Sequence, residues 1–217
     1  MANAELIKRY VIFLVGLLFM GLGIALITKS TLGTSPISSV PYVVSLITPF
    51  TFGQLTFALS LVCILIEIAI LRKDFTKDQY LQVFVGPFFG LFVDLGMFIF
   101  SFIIPDYYIE KLLCVVLGSI ILALGVYLQV FAGVIINPGE GVVKAIAGKL
   151  GKDFGTIKIL FDWLLVIIAL IISLGSLGVI EGVREGTLIS AFLVGFFVKI
   201  FNRVFVKHVQ MERWFAN

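Results

Sequence analysis

Charged side chains make up only 13% of the 217 residues, about half the share carried by an ordinary soluble domain. That scarcity removes cytosolic enzymes, secreted domains and nucleic-acid readers together, and the net charge of +3 does not bring the last class back. Histidine is almost missing too. The single one, His208, lies near the C-terminal end, which leaves no Ser/His pair or zinc-binding helix inside the apolar segments. The two cysteines, Cys63 and Cys114, each sit within an apolar run. Neither their spacing nor their neighbours point to a disulfide or a metal, and a thiol in that setting packs as a small hydrophobe. No metal, cofactor or catalytic residue is expected.

What the chain has is apolar mass: 60% hydrophobic residues and a mean hydropathy of +1.16. The 22 Phe and 21 Gly suit lipid-facing surface and close helix contacts. At about 20 residues for each crossing of a roughly 30 Å hydrocarbon core, spans fall at 10–29, 52–71, 80–104, 108–132, 155–174 and 186–205. The reading is an all-α membrane protein with six transmembrane helices forming one domain over 1–217. The apolar run after MANAELIKRY lacks a small-residue cleavage site and is taken as an uncleaved first span.

Basic residues set the direction. Lys8, Arg9, Arg72, Lys73, Lys77, Lys144, Lys149, Lys152, Arg203, Lys207 and Arg213 fall on one side of six alternating spans. Lys29, Lys111 and Arg184 fall on the other, diluted by Asp106, Glu110, Glu181 and Glu185. The positive-inside rule then puts both termini in the cytoplasm.

The chain also matches itself. One constant offset lays Leu22, Gly23, Leu26, Pro36, Val40, Phe52 and Gly53 on Leu124, Gly125, Leu128, Pro138, Val142, Phe154 and Gly155. A slightly larger offset sets Gly86, Gly90, Val93 and Asp94 opposite Ala191, Gly195, Val198 and Lys199. With an odd number of spans in each half, the copies, about 8–105 and 106–210, enter the membrane from opposite sides. Such inverted repeats build many secondary transporters, whose sites lie where matching helix interruptions meet.

Matching interruptions are visible at TLGTSPISS (31–39) and GVIINPGEG (133–141). Each puts Pro at the first turn of a short helix, over 36–50 and 138–150, with Ser35 or Asn137 as the N-cap before it. Such helix starts present amides and partial positive charge to a polar or anionic ligand. The candidate binding residues are therefore Thr34, Ser35, Pro36, Ser38 and Ser39 in the first break and Asn137, Pro138, Gly139 and Glu140 in the second. Gln129 joins them as a neutral amide near the second break. The competing reading makes both breaks ordinary capped loops at the membrane surfaces.

Ionisable residues inside spans are costly and usually functional or paired. Asp94, near the middle of the third span, shares a helix face with Gly86 and Gly90, as Lys199 does with Ala191 and Gly195. Packing of spans three and six would make Asp94 and Lys199 an interior ion pair or coupling site. Alternatively, Lys199 snorkels outward with Arg203 and Lys207. Asp162 pairs structurally with Lys158 one turn away, and Glu67, close to Arg72, faces headgroups or water. An aspartyl dyad of Asp94 and Asp162 is disfavoured because no GxGD stands near either, and no enzyme is expected.

The segments GLGIALITKSTLGTSPISSVPYVVS, with G-x-G at its start and the LGTSP turn, and ALGVYLQVFAGVIINPGEG resemble the YczE/YitT-like family of bacterial membrane proteins. The resemblance implies a small protein of the bacterial cytoplasmic membrane without an established substrate, and it supplies no site residues. Taken together, these features suggest a small transporter or permease for a polar or anionic solute, working in a lipid bilayer, as a homodimer or with partner subunits. A substrate-binding subunit like those of energy-coupling-factor transporters, or a lipid-handling or scaffold protein, are the alternatives.

Overall fold

In the computed structural model the backbone is described for residues 2–75 and 77–208, and side chains for 4–75 and 79–204. The side chains of Lys77, Lys207, His208 and Arg213, named above, lie outside the described residues. The described chain is helical, with no strand among the described residues. Its α-helices are α1 (Ala2–Lys29), α2 (Ser39–Ile47), α3 (Phe52–Leu71), α4 (Gln82–Ile99), α5 (Tyr108–Ala132), α6 (Pro138–Leu150), α7 (Phe154–Leu177) and α8 (Glu185–His208). Six of them, all but α2 and α6, are long and apolar enough to cross a membrane. These agree closely with the spans read from hydropathy.

Local chemistry sets the ends of these helices. Thr51 and Gln54 form a capping box at the start of α3, and Asp153 caps α7 through the Thr156 amide. Gly133, Gly151 and Gly178 end α5, α6 and α7 with φ near +60° to +70°, a conformation that costs glycine little.

The core gathers around α1, the most buried of the six long helices. Phe13, Leu17, Met20, Ile24 and Ile27 pack with Phe52, Val85, Phe89, Val93 and Leu122 from α3, α4 and α5. Helices α1 and α5 touch backbone to backbone. A Cβ on Gly16 would stand 2.9 Å from the Gly125 oxygen, and one on Gly23 would stand 2.5 Å from the Leu122 nitrogen. Small residues at these positions are what permit such an approach without a hydrophobic drive between helices in lipid. The α3–α4 contact is as close, with Gly53 against Gly90.

After α1 the chain turns back through residues 30–38. Thr34 donates its amide to the Gly182 carbonyl and Gly186 donates to the Leu32 carbonyl, so this return is stitched to the start of α8. From the short 3-10 turn Pro36–Ser38, α2 runs towards the end of the bundle where α3 begins, bringing Tyr42 to 5.3 Å from Phe52 between ring centroids. Helix α6 runs the other way, towards the end carrying Arg72, Lys73 and Lys149, here termed the basic end.

Candidate functional site

The two interruptions meet. Ile37 lies so close to Gly139 that a Cβ there would overlap its side chain. Around this contact Ile37, Ser38, Asn137 and Gly139 line a cavity of about 20 Å³ with Thr56, Leu59, Ser60 and Cys63 of α3 and Phe89 of α4. That volume is about one water. The α3 residues involved belong to the middle of that helix, so the breaks lie deep in the bundle and not as loops at its ends.

Their caps differ. Asn137 accepts from the Gly139 amide through Oδ1 at 3.2 Å, while its carbonyl takes the Glu140 and Gly141 amides. Ser35, expected to cap in the same way, makes no side-chain cap and bonds Ser38 Oγ at 3.0 Å instead. Thr34 is held by Thr28 at 2.7 Å, and Ser39 donates to the Pro36 carbonyl. Thr34, Ser35, Ser38, Ser39, Asn137, Pro138 and Gly139 are all buried. The first-turn amides of α6 are satisfied by Asn137, so that helix start holds no free donor for a ligand.

A larger cavity, about 1030 Å³, opens at the basic end between α3, the turn following it and α6. Arg72, Lys73, Lys144 and Lys149 supply its cations and Asp74 and Glu67 its acids; Gly141 and Gly148 form the bare part of its wall. Lys144 is exposed and Glu67 is not, at 1% relative exposure. The expectation that Glu67 faces headgroups or water is thus corrected. The α3 side chains Thr56, Ser60, Cys63 and Glu67 share one helix face, all buried, and that face turns to α6. A Cβ on Gly141 would fall 2.5 Å from Glu67 Oε2.

Glu67 Oε1 accepts from Gln79 Nε2 at 2.8 Å, Gln82 approaches the same carboxyl, and Oε2 has no partner. Among the described residues no ion pair reaches Glu67. A carboxylate buried among neutral groups costs several kcal/mol unless a cation, a donor or a proton compensates it. The signal for this residue was present in the sequence, as polar and small residues at positions 56, 60, 63 and 67 within an otherwise aliphatic helix. Proximity to Arg72 argued against burial and obscured it.

The other candidates separate from this region. Asp94 does not pair with Lys199. Its Oδ2 accepts from Thr51 Oγ1 at 2.6 Å and its Oδ1 from the Gly53 amide at 2.7 Å, so it caps α3 from α4. The reason is packing: the Gly86–Gly90–Asp94 face is taken by α3, whereas Gly195 on α8 meets nothing within 4 Å and Lys199 is exposed. Helix α8 packs on α5 instead. Gln129 is buried, with its amide nitrogen unpartnered, but its backbone lies against Gly16 of α1 and it lines neither cavity. Glu140 feels the charges of Lys158 and Asp162 on α7, which bond each other at 2.5 Å as an i, i+4 pair. Among the described residues no three His, Cys, Asp or Glu come together as a metal site.

Comparison with known proteins places the chain in a family of unknown function. Residues 7–203 match a family of unknown function (DUF6198), and the chain belongs to that family. It is similar to the uncharacterized protein YyaS of Bacillus subtilis (strain 168), at 26% identity over 208 residues, covering 92% of this chain and 95% of the other. No solved structure matches.

Proposed function

We propose that this member of the DUF6198 family is a small multi-pass transporter or permease for a polar or anionic solute, with its path running from the basic-end cavity to the meeting point of the two breaks. One observation carries the reading: two interrupted segments, each following a long helix, start back to back at mid-length of α3, directly beyond a cavity large enough for a metabolite. The basic end is the cytoplasmic side in this reading, with both termini there and the protein in a bacterial cytoplasmic membrane. It performs no covalent chemistry.

An inverted repeat underlies the proposal, and the contacts support it. The offset that aligns the halves makes Gly16 equivalent to Gly118 and Gly23 to Gly125. Gly16 packs on Gly125 and Gly118 on Gly23, so each contact is the image of the other under a two-fold axis in the membrane plane. Ile37 is equivalent to Gly139, and the two touch, which is where that axis would cross the breaks. Likewise α2 packs on α7 and α6 on α3. Kinship with YczE/YitT-like proteins belongs to the proposal as well, and rests on the LGTSP and INPGEG segments alone.

The test is flux. Purified protein reconstituted alone into vesicles should move at least one solute from a panel of organic anions and amino acids. A cysteine at Lys144 should react with a membrane-impermeant maleimide from the cytoplasmic side, and one at Ser38 should react only during turnover. Movement of no solute, with Ser38 sealed throughout, rejects the transporter reading. Movement only after adding partner proteins points to the subunit alternative.

A further inference from the structure

We infer that Glu67 is the ligand-binding carboxylate of the basic-end cavity, and that the cavity takes a solute bearing an ammonium or amine group together with an anionic group. The inference rests on the transport reading above and names its substrate class. One acceptor oxygen in the cavity wall lacks a donor, Glu67 Oε2, on a side chain exposed by only 1%; Gln82, behind the wall, approaches the same carboxyl. Gln79 serves the other Glu67 oxygen. No described cation lies within ion-pair distance of the carboxyl. Lys144, one turn along α6 from Gly141, is the cation whose charge it feels. What this end of the cavity wants is an N–H donor, best a cationic one.

The rim wants the opposite. Arg72, Lys73, Lys144 and Lys149 outnumber the single rim acid, Asp74, and attract an anionic group into the opening. A plain anion would be drawn to the rim and then repelled at the base, and a plain amine would be repelled at the rim. A solute carrying both charges satisfies both ends. Gly141 fits this assignment, since any side chain there would strike Glu67 Oε2.

The experiment compares solutes that differ only in the amine: 5-aminopentanoate with pentanoate, leucine with 4-methylpentanoate, and glucosamine 6-phosphate with glucose 6-phosphate. Binding is read as thermal stabilisation of the purified full chain, and movement as uptake into vesicles. The amine member of at least one pair should bind at least about tenfold more tightly, as expected where a buried charge gains its partner. Glu67→Gln should erase that advantage while leaving the amine-free member unaffected. Equal or better binding of the amine-free member in every pair overturns the inference, and the wild-type comparison decides this even should the variant fold poorly. Uptake without amine preference leaves the transporter reading standing and removes the amine site. Amine-selective binding without uptake keeps the site and removes transport, and silence throughout removes both.

Discussion

Replacing Asp94 tests whether an acid inside a span serves function or architecture. Its carboxylate holds the first turn of α3 through the Gly53 amide and the Thr51 hydroxyl, and Thr51 in turn accepts from the Gln54 amide. Hydrogen bonds to charged groups contribute roughly 1.5–3 kcal/mol each, less where water can substitute. Thr51 is exposed and Asp94 only half-buried, so the hydroxyl bond is worth about 1 kcal/mol and the amide bond about 2 kcal/mol on that scale. Asp94→Ala should therefore destabilise the fold by about 3 kcal/mol. Asp94→Asn retains an acceptor for Gly53 and a donor for Thr51, losing mainly the charge at a helix N-terminus, about 1 kcal/mol. Titration with a denaturing detergent in bicelles, followed by circular dichroism, measures both. Wild-type stability in Asp94→Ala, combined with lost solute uptake, would refute the cap and return Asp94 to the transport mechanism.

Two further outcomes follow from the breaks. Asn137→Ala removes a side-chain cap with a defined partner, the Gly139 amide, and should cost about 1 kcal/mol; Ser35→Ala loses only the bond to Ser38 and should cost less in the same bicelle titration. Gly33→Ala should be more damaging than either, because Gly33 holds φ +107° and a Cβ there would overlap Thr187 Oγ1. The expected sign is loss of the stitch between the first break and α8, read as faster exchange of the Thr34 and Gly186 amides.

Spans and short helices were legible because each has a local cause: apolar length, and Pro with a polar residue before it. Partner choice was not. Asp94 and Lys199 align under the proposed repeat, which says nothing about whether their helices touch, and the face shared by Gly86, Gly90 and Asp94 fits α3 as well as it would fit α8. Burial of Glu67 was hidden for the same reason. Its neighbours in space, Gln79, Gln82 and Gly141, come from α4, the turn before it and α6, so no window on α3 contains them. The two breaks could be paired from sequence, but their depth became visible only through the contact of Ile37 with Gly139 and the α3 residues around it.

Under the proposed repeat, the two halves diverge where their third helices dock, and this gives a paired prediction. In the first half Gly90 stands so near Gly53 that an added Cβ would overlap its carbonyl oxygen, and Gly53 is equally close to Gly90. In the second half the equivalent residues, Gly155 and Gly195, do not meet: Gly195 has nothing within 4 Å, and Gly155 has only Asp153 of its own cap. Identical substitutions should then have opposite results. Gly90→Ala must separate α3 from α4, breaking packing that also sets the Asp94 cap, at a cost typical of overpacking, about 1–3 kcal/mol. Gly195→Ala fills open space in a helix interior and gains up to about 1 kcal/mol of helix propensity. The bicelle titration reads both signs. Destabilisation of Gly195→Ala as large as that of Gly90→Ala would mean that α7 and α8 close on each other as α3 and α4 do, and that the second half packs like the first.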